Sequence, residues 1–204
     1  MRIERIWAMP NKWTFTIKPI RELLLEELEE VDNGIWCDPF AGLNSPAQVT
    51  NDLNDDAPTT HHMDALQFLK EQPQSHFDGV LFDPPYSITQ AKQLYEGRGM
   101  ELLEIKPTSM KYWAECKNEM SRILKPGGKA ICFGWSSMGL GKNRGYEMTR
   151  ILIVPHGGSK NDTIVTVETK LAVNGEIHLG EAITKGEQWT KKLQTKITNL
   201  YWTL

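Results

Sequence analysis

The chain has 204 residues, 40% of them hydrophobic, enough to fill one α/β domain and too few for two sizeable ones. A net charge of −3 argues against binding nucleic acid through bulk charge, and three cysteines without CxxC spacing (Cys37, Cys116, Cys132) read as buried, reduced thiols and not as a disulfide framework or metal site. No N-terminal apolar leader and no run near the roughly 20 apolar residues of a membrane span is present, so the expectation is a cytoplasmic protein without membrane contact.

In chain order, Trp13–Ile17 is an extended segment that enters a helix over Arg21–Glu30, with Pro19 near its first turn and Asn33-Gly34 as its stop. A short apolar strand follows from Gly34 and ends in Asp38-Pro39-Phe40-Ala41-Gly42. Only eight residues separate Phe40 from Val49. A parallel crossover normally needs a dozen or more, so the first helix of the sheet must be missing or reduced to a turn. Val49–Asn54 is the second strand, a short third lies near His61, and Asp64 caps a short helix through Leu69. The pair His61-His62 reads as polar loop, because no carboxylate or cysteine stands at ligand spacing.

Gly79–Phe82 is apolar without alternation, the pattern of a strand buried on both faces. Residues 87–108, with Gly97-Arg98-Gly99 and little periodicity, suggest a mobile segment on the substrate side. A helix over Met110–Leu124 leads through the turn Lys125-Pro126-Gly127-Gly128 into a strand over Lys129–Phe133. Gly134–Gly145 is glycine-rich but lacks GxGxxG spacing between a strand and a helix, which disfavours a dinucleotide site. Strands over Arg150–Val154 and Asp162–Glu168 bring the count to seven. Asn174-Gly175 signals a hairpin turn, and Trp189, Leu193, Ile197 and Leu200 recur at helical spacing. The expected organisation is one mostly parallel α/β sheet domain, with a core over 12–170 and a hairpin and helix extension over 171–204.

The most informative stretch is Phe82-Asp83-Pro84-Pro85-Tyr86. At the carboxyl end of a buried parallel strand it lies where open α/β sheets bind ligands. Two prolines stiffen the loop and remove two backbone donors, leaving carbonyl acceptors. The Asp83 carboxylate and the Pro84 carbonyl can each take one N–H of an amino group, and Tyr86 offers a stacking face for a base removed from its duplex. Asp83-Pro84-Pro85-Tyr86 resembles the catalytic motif of class I amino-group methyltransferases, above all those acting on N6 of adenine in DNA.

That resemblance implies a Rossmann-like fold, S-adenosyl-L-methionine as cofactor, and a series of binding residues in motif order. Asp38, Pro39, Phe40 and Gly42 match the cofactor loop up to Gly42, after which Leu43-Asn44-Ser45-Pro46 stands where the family has a second glycine. Asp52, with Leu53, falls where an acidic residue takes ribose hydroxyls. Asp64 and Ala65 fall where the family meets the cofactor's adenine, and Ile17-Lys18 where it meets the amino-acid end.

Charge is uneven: residues 1–86 carry six basic against fifteen acidic side chains, and 87–150 carry eleven against six. Arg98, Lys142 and Arg144 are therefore candidate contacts to a nucleic-acid backbone. Because no spare domain exists to read a site, recognition is expected to be loose or shared, through a homodimer or a specificity subunit docked on the C-terminal helix. RNA adenine, cytosine N4 and a catalytically silent nucleic-acid-binding subunit are the competing readings.

Overall fold

The computed structural model describes residues 1–31, 33–85, 109–158 and 160–172. Tyr86, Arg98, the rest of 87–108, Asn174-Gly175 and the helix expected around Trp189, Leu193 and Ile197 lie outside the described residues. Met1–Leu171 form one compact unit.

Its frame is a seven-stranded sheet: β1 Arg2–Arg5, β2 Trp36–Asp38, β3 Val49–Thr50, β4 Phe77–Phe82, β5 Leu124–Gly134, β6 Tyr146–Val154 and β7 Thr163–Lys170. The order is β1-β6-β7-β5-β4-β2-β3, and every neighbouring pair is parallel except those made by β7. The total of seven agrees with the sequence reading, but its membership does not. The segment near His61 contributes a single bridge to Asn51, and the seventh strand is β1, at the other edge. Four residues of Arg-Ile-Glu-Arg give too little pattern to read as a strand. A parallel ladder with β6 over all four residues holds β1, and charge adds to it: Arg150 on β6 reaches Glu4 at 2.7 Å and also Glu26 on the neighbouring helix at 2.6 Å.

Side chains alternate across the sheet as the pleat requires. Leu81, Ile131, Val165 and Val167 meet Ile20, Leu23 and Leu24 of helix α1 (Lys18–Glu29) on one face. Val80, Phe82, Ala130 and Cys132 meet Phe68 and Leu69 of α2 (Ala65–Glu71) and Cys116, Met120 and Ile123 of α3 (Met110–Ile123) on the other. α1 starts three residues earlier than the sequence pattern gave, because a proline in the first turn loses only an N–H that has no helical partner anyway. The predicted turn at Lys125–Gly128 falls within the bounds of β5 as an irregularity of its pairing: Phe77 pairs with Leu124 and Gly79 with Lys129, so four residues stand opposite Asp78, and Gly127 takes φ +80°. All three cysteines are buried and free. Among the described residues no helix is long and apolar enough to cross a membrane, and no cluster of metal-ligating side chains occurs.

Between β2 and β3 the chain makes turns only, so the missing first helix is real. From β2 the chain steps outward to β3 and then returns to β4 on β2's other side. The strand order therefore reverses between β2 and β4, which puts a crevice at their carboxyl ends. Asp38 ends β2 and Asp83 follows β4.

Candidate active site

Asp38 is fully buried at the end of β2. One carboxylate oxygen accepts the Phe40 N–H at 2.9 Å and the other the Ser45 hydroxyl at 2.6 Å. Burial pushes its pKa up to about 7; the Ser45 and Phe40 hydrogen bonds oppose this, while the Asp83 and Asp52 carboxylates add to the rise. Three acidic groups thus converge on one crevice. Ser45 belongs to the stretch that departs from the methyltransferase pattern after Gly42, and it supplies a hydroxyl donor to the Asp38 carboxylate. Gly42 itself sits at φ +55°, with nothing within 4 Å of an added Cβ; its backbone conformation, not space, calls for glycine.

Asn51, which the sequence reading passed over, ties this end of the sheet together. Its backbone N–H reaches the Asp38 carbonyl at 2.9 Å, and its side chain, with no exposed surface, donates to the carbonyls of Pro39 and Met63 and accepts the Met63 N–H. The only signal for it was an amide at the end of a short strand. Asp52 then accepts the N–H of Gly42 at 2.9 Å and of Asn54 at 2.7 Å, so its carboxylate links the β3 end to the Gly42 turn. Asp64 caps α2 through the N–H groups of Leu66 and Gln67, as its position suggested, and its second oxygen accepts the Tyr112 hydroxyl at 2.8 Å.

Phe40 stands between two hollows. The smaller, about 40 Å³, is lined by Pro39, Asn51, Asp52, Leu53, Met63, Ala65 and Pro85 as well as Phe40. The other, about 150 Å³, runs from Lys12–Phe15 past Phe40–Asn44 to Asp83. Neither is lined by Ile17 or Lys18. Ile17 is buried in the core, where its apolar side chain belongs, and the Lys18 side chain is 85% exposed, facing Glu22 at 3.8 Å. The N-terminal segment meets the crevice one turn earlier, through Lys12–Phe15.

On the other side of the Asp83–Pro85 loop lies a cavity of about 520 Å³, within the range of small-molecule sites. Its lining includes Phe82, Pro84, Trp113, Lys117, Trp135, Met138, Arg144 and Glu168, drawn from β4, α3, β7 and the loop after β5. The three motif residues in view therefore divide between sites: Asp83 and Pro85 face the hollows around Phe40, and Pro84 faces the cavity. Of the two basic candidates in view, Lys142 is exposed, whereas Arg144 is committed to the protein. Its guanidinium donates to Asn118 at 2.8 Å and to the Leu140 carbonyl at 3.0 Å.

No protein-family model matches the chain, and no curated protein sequence matches it. Solved structures do share its fold. The 1,6-didemethyltoxoflavin-N1-methyltransferase of Burkholderia thailandensis, crystallised with 1,6-didemethyltoxoflavin and S-adenosylhomocysteine, has a TM-score of 0.52 at 12% identity, over 76% of this chain and 78% of that one. TrmN from Thermus thermophilus has a TM-score of 0.50 at 17% identity, over 76% of this chain but only 49% of its own length. The sheet and its flanking helices are thus those of the class I, Rossmann-like methyltransferase fold.

Proposed function

We propose that the chain is an S-adenosyl-L-methionine-dependent methyltransferase acting on N6 of adenine in DNA. The observation that carries this is the division of one rigid loop between two sites: Asp83 and Pro85 border the crevice at the β2/β4 reversal, and Pro84 borders a separate cavity large enough for a planar base. A group-transfer enzyme needs such an arrangement, with donor and acceptor sites meeting at a fixed point.

The crevice suits the cofactor chemically. Asp52 and Asp83 line it with carboxylates, favourable to a sulfonium cation, and Pro39, Phe40, Leu53, Met63 and Ala65 supply apolar surface for a purine ring. Bound there, S-adenosylmethionine supplies a methyl group already activated as an electrophile. The chain's own task is orientation. The Asp83 carboxylate and the Pro84 carbonyl accept the two N–H groups of the target amine, turning its lone pair toward the crevice, and the double proline leaves no local N–H to compete. Tyr86 would stack on the ring, with Trp113 and Trp135 on the cavity side as further aromatic walls. As the N–C bond forms, the cofactor's S–C bond would break to leave the neutral thioether S-adenosylhomocysteine, and the amine's surplus proton would pass to Asp83 or solvent.

Incubating the protein with S-adenosylmethionine and DNA or RNA oligonucleotides, with nucleoside mass spectrometry as readout, tests the reading. N6-methyladenine in DNA is expected. Product only in RNA, or N4-methylcytosine, would reassign the substrate, and saturable cofactor binding without any product would leave a silent binding subunit.

A further inference from the structure

The cavity beside Pro84 owes its far wall to a residue buried in the sheet. Glu168, 2% exposed on the α3 face of β7, accepts the N–H groups of Leu140 and Gly141 through its two carboxylate oxygens. The same loop is held by its carbonyls from outside. Lys117 of α3 donates to Met138 at 3.2 Å and Gly139 at 2.8 Å, and Arg144 donates to Leu140 at 3.0 Å. Gly139 packs so closely that an added Cβ would overlap the Glu168 carboxylate. A carboxylate among Cys132, Tyr146 and Leu140 is costly to bury, and an apolar side chain would fill the same place at lower cost. The loop is what the charge is there to hold.

We infer that Glu168 is a positioning residue for the proposed reaction, fixing loop 135–141 so that Trp135 and Met138 frame the mouth of the cavity and admit a purine in one pose beside Pro84. This rests on the proposed function. Trp135 and Met138 are 49% and 61% exposed, and Met138 sits at the anchored part of the loop, its carbonyl held by Lys117 two residues before the amide that Glu168 accepts. Glu168 touches neither substrate nor cofactor in this scheme; it acts through the two amides.

Glu168→Gln tests it, because the amide keeps one acceptor oxygen while turning an NH2 toward the second backbone N–H. Losing one charge-assisted hydrogen bond should raise KM for an adenine-containing duplex roughly tenfold. Calorimetric affinity for S-adenosylmethionine should stay within about twofold, since the crevice lies across the loop, and the Leu140 and Gly141 amides should exchange hydrogen faster. Gly139→Ala perturbs the same contact from the loop side, so the double variant should be no worse than the worse single one. A native KM in a Glu168→Gln protein whose amides do exchange faster overturns the role, as do additive effects in the double variant. A lowered Tm with weakened cofactor binding would mark Glu168 as merely structural and equally overturn it. A wild-type chain that methylates no oligonucleotide removes the reaction and this role together, and is recognised before any substitution is made.

Discussion

The two sides of the Asp83–Pro85 loop are built on different plans. On the crevice side, the polar partners belong to one continuous stretch: Asp38, Phe40, Gly42, Ser45, Asn51 and Asp52 lie within fifteen residues and bond mostly to one another's backbone. On the cavity side, the wall is assembled from distant parts, with Glu168 of β7, Lys117 of α3 and Arg144 gripping one loop. A site made by one segment folding on itself can be read as a motif. A site made by long-range anchorage cannot, because no local spacing connects its members.

The largest effect that separates the two sides is on Asp83, which borders the crevice while its neighbour Pro84 lines the cavity. Asp83→Ala should lower methyl transfer by on the order of 100-fold or more, because the amine loses one of its two fixed acceptors. Cofactor affinity should change only a few-fold. Single-turnover rates and calorimetry measure the two separately; near-native transfer would mean that the amine is not held at Asp83.

This contrast also sets how much was legible beforehand. Asp38-Pro39-Phe40-Ala41-Gly42 and Asp83-Pro84-Pro85 could be read because strand ends, carboxylates and prolines have local signatures, and the missing helix could be read from a count of residues between Phe40 and Val49. Ile17 and Lys18 line neither hollow, since entering a helix beside the crevice is different from lining it. β1 was invisible because its partner strand and its ion-pair partner Arg150 both lie more than a hundred residues away. Glu168 looked like an ordinary alternating strand residue, and only the loop above it reveals its use.

A smaller, pH-dependent effect belongs to the crevice alone. In the fold Asp38 keeps its proton up to about pH 7, whereas in the unfolded chain it releases it near the ordinary aspartate value of 3.8. Across that window the folded state binds more protons than the unfolded, so this group's contribution to stability falls as pH rises from about 4 to about 7. The slope is on the order of 1 kcal/mol per pH unit. Asp38→Asn keeps an acceptor for the Phe40 N–H and should flatten that part of the profile. Chemical denaturation of both proteins at pH 5, 6, 7 and 8 measures it; parallel profiles would mean that Asp38 is already ionised in the fold.

The smallest effect concerns nucleic-acid contact, where the geometry splits two residues that sequence had paired. The basic excess after residue 86 is partly spent inside the protein: Lys125 on Asp78 at 2.8 Å, Lys129 on Glu27 at 2.6 Å, Arg150 on Glu4 and Glu26, and Arg144 on Asn118 and the loop. Lys142 projects from its short 3-10 turn into solvent, with no ion pair among the described residues. If Lys142 meets a phosphate, Lys142→Ala should lower the slope of log affinity against log salt by about 0.9 and leave Tm unchanged. Arg144→Ala should behave in the opposite way. Its removal leaves the Leu140 carbonyl with one donor fewer, so the loop loosens and KM for the duplex rises, while the salt slope stays near that of the wild type. Fluorescence titrations of a random duplex at several salt concentrations, paired with thermal melts, read both variants. Equal slope losses in the two would return Arg144 to the phosphate-binding surface and would weaken the view that the cavity wall is held from within.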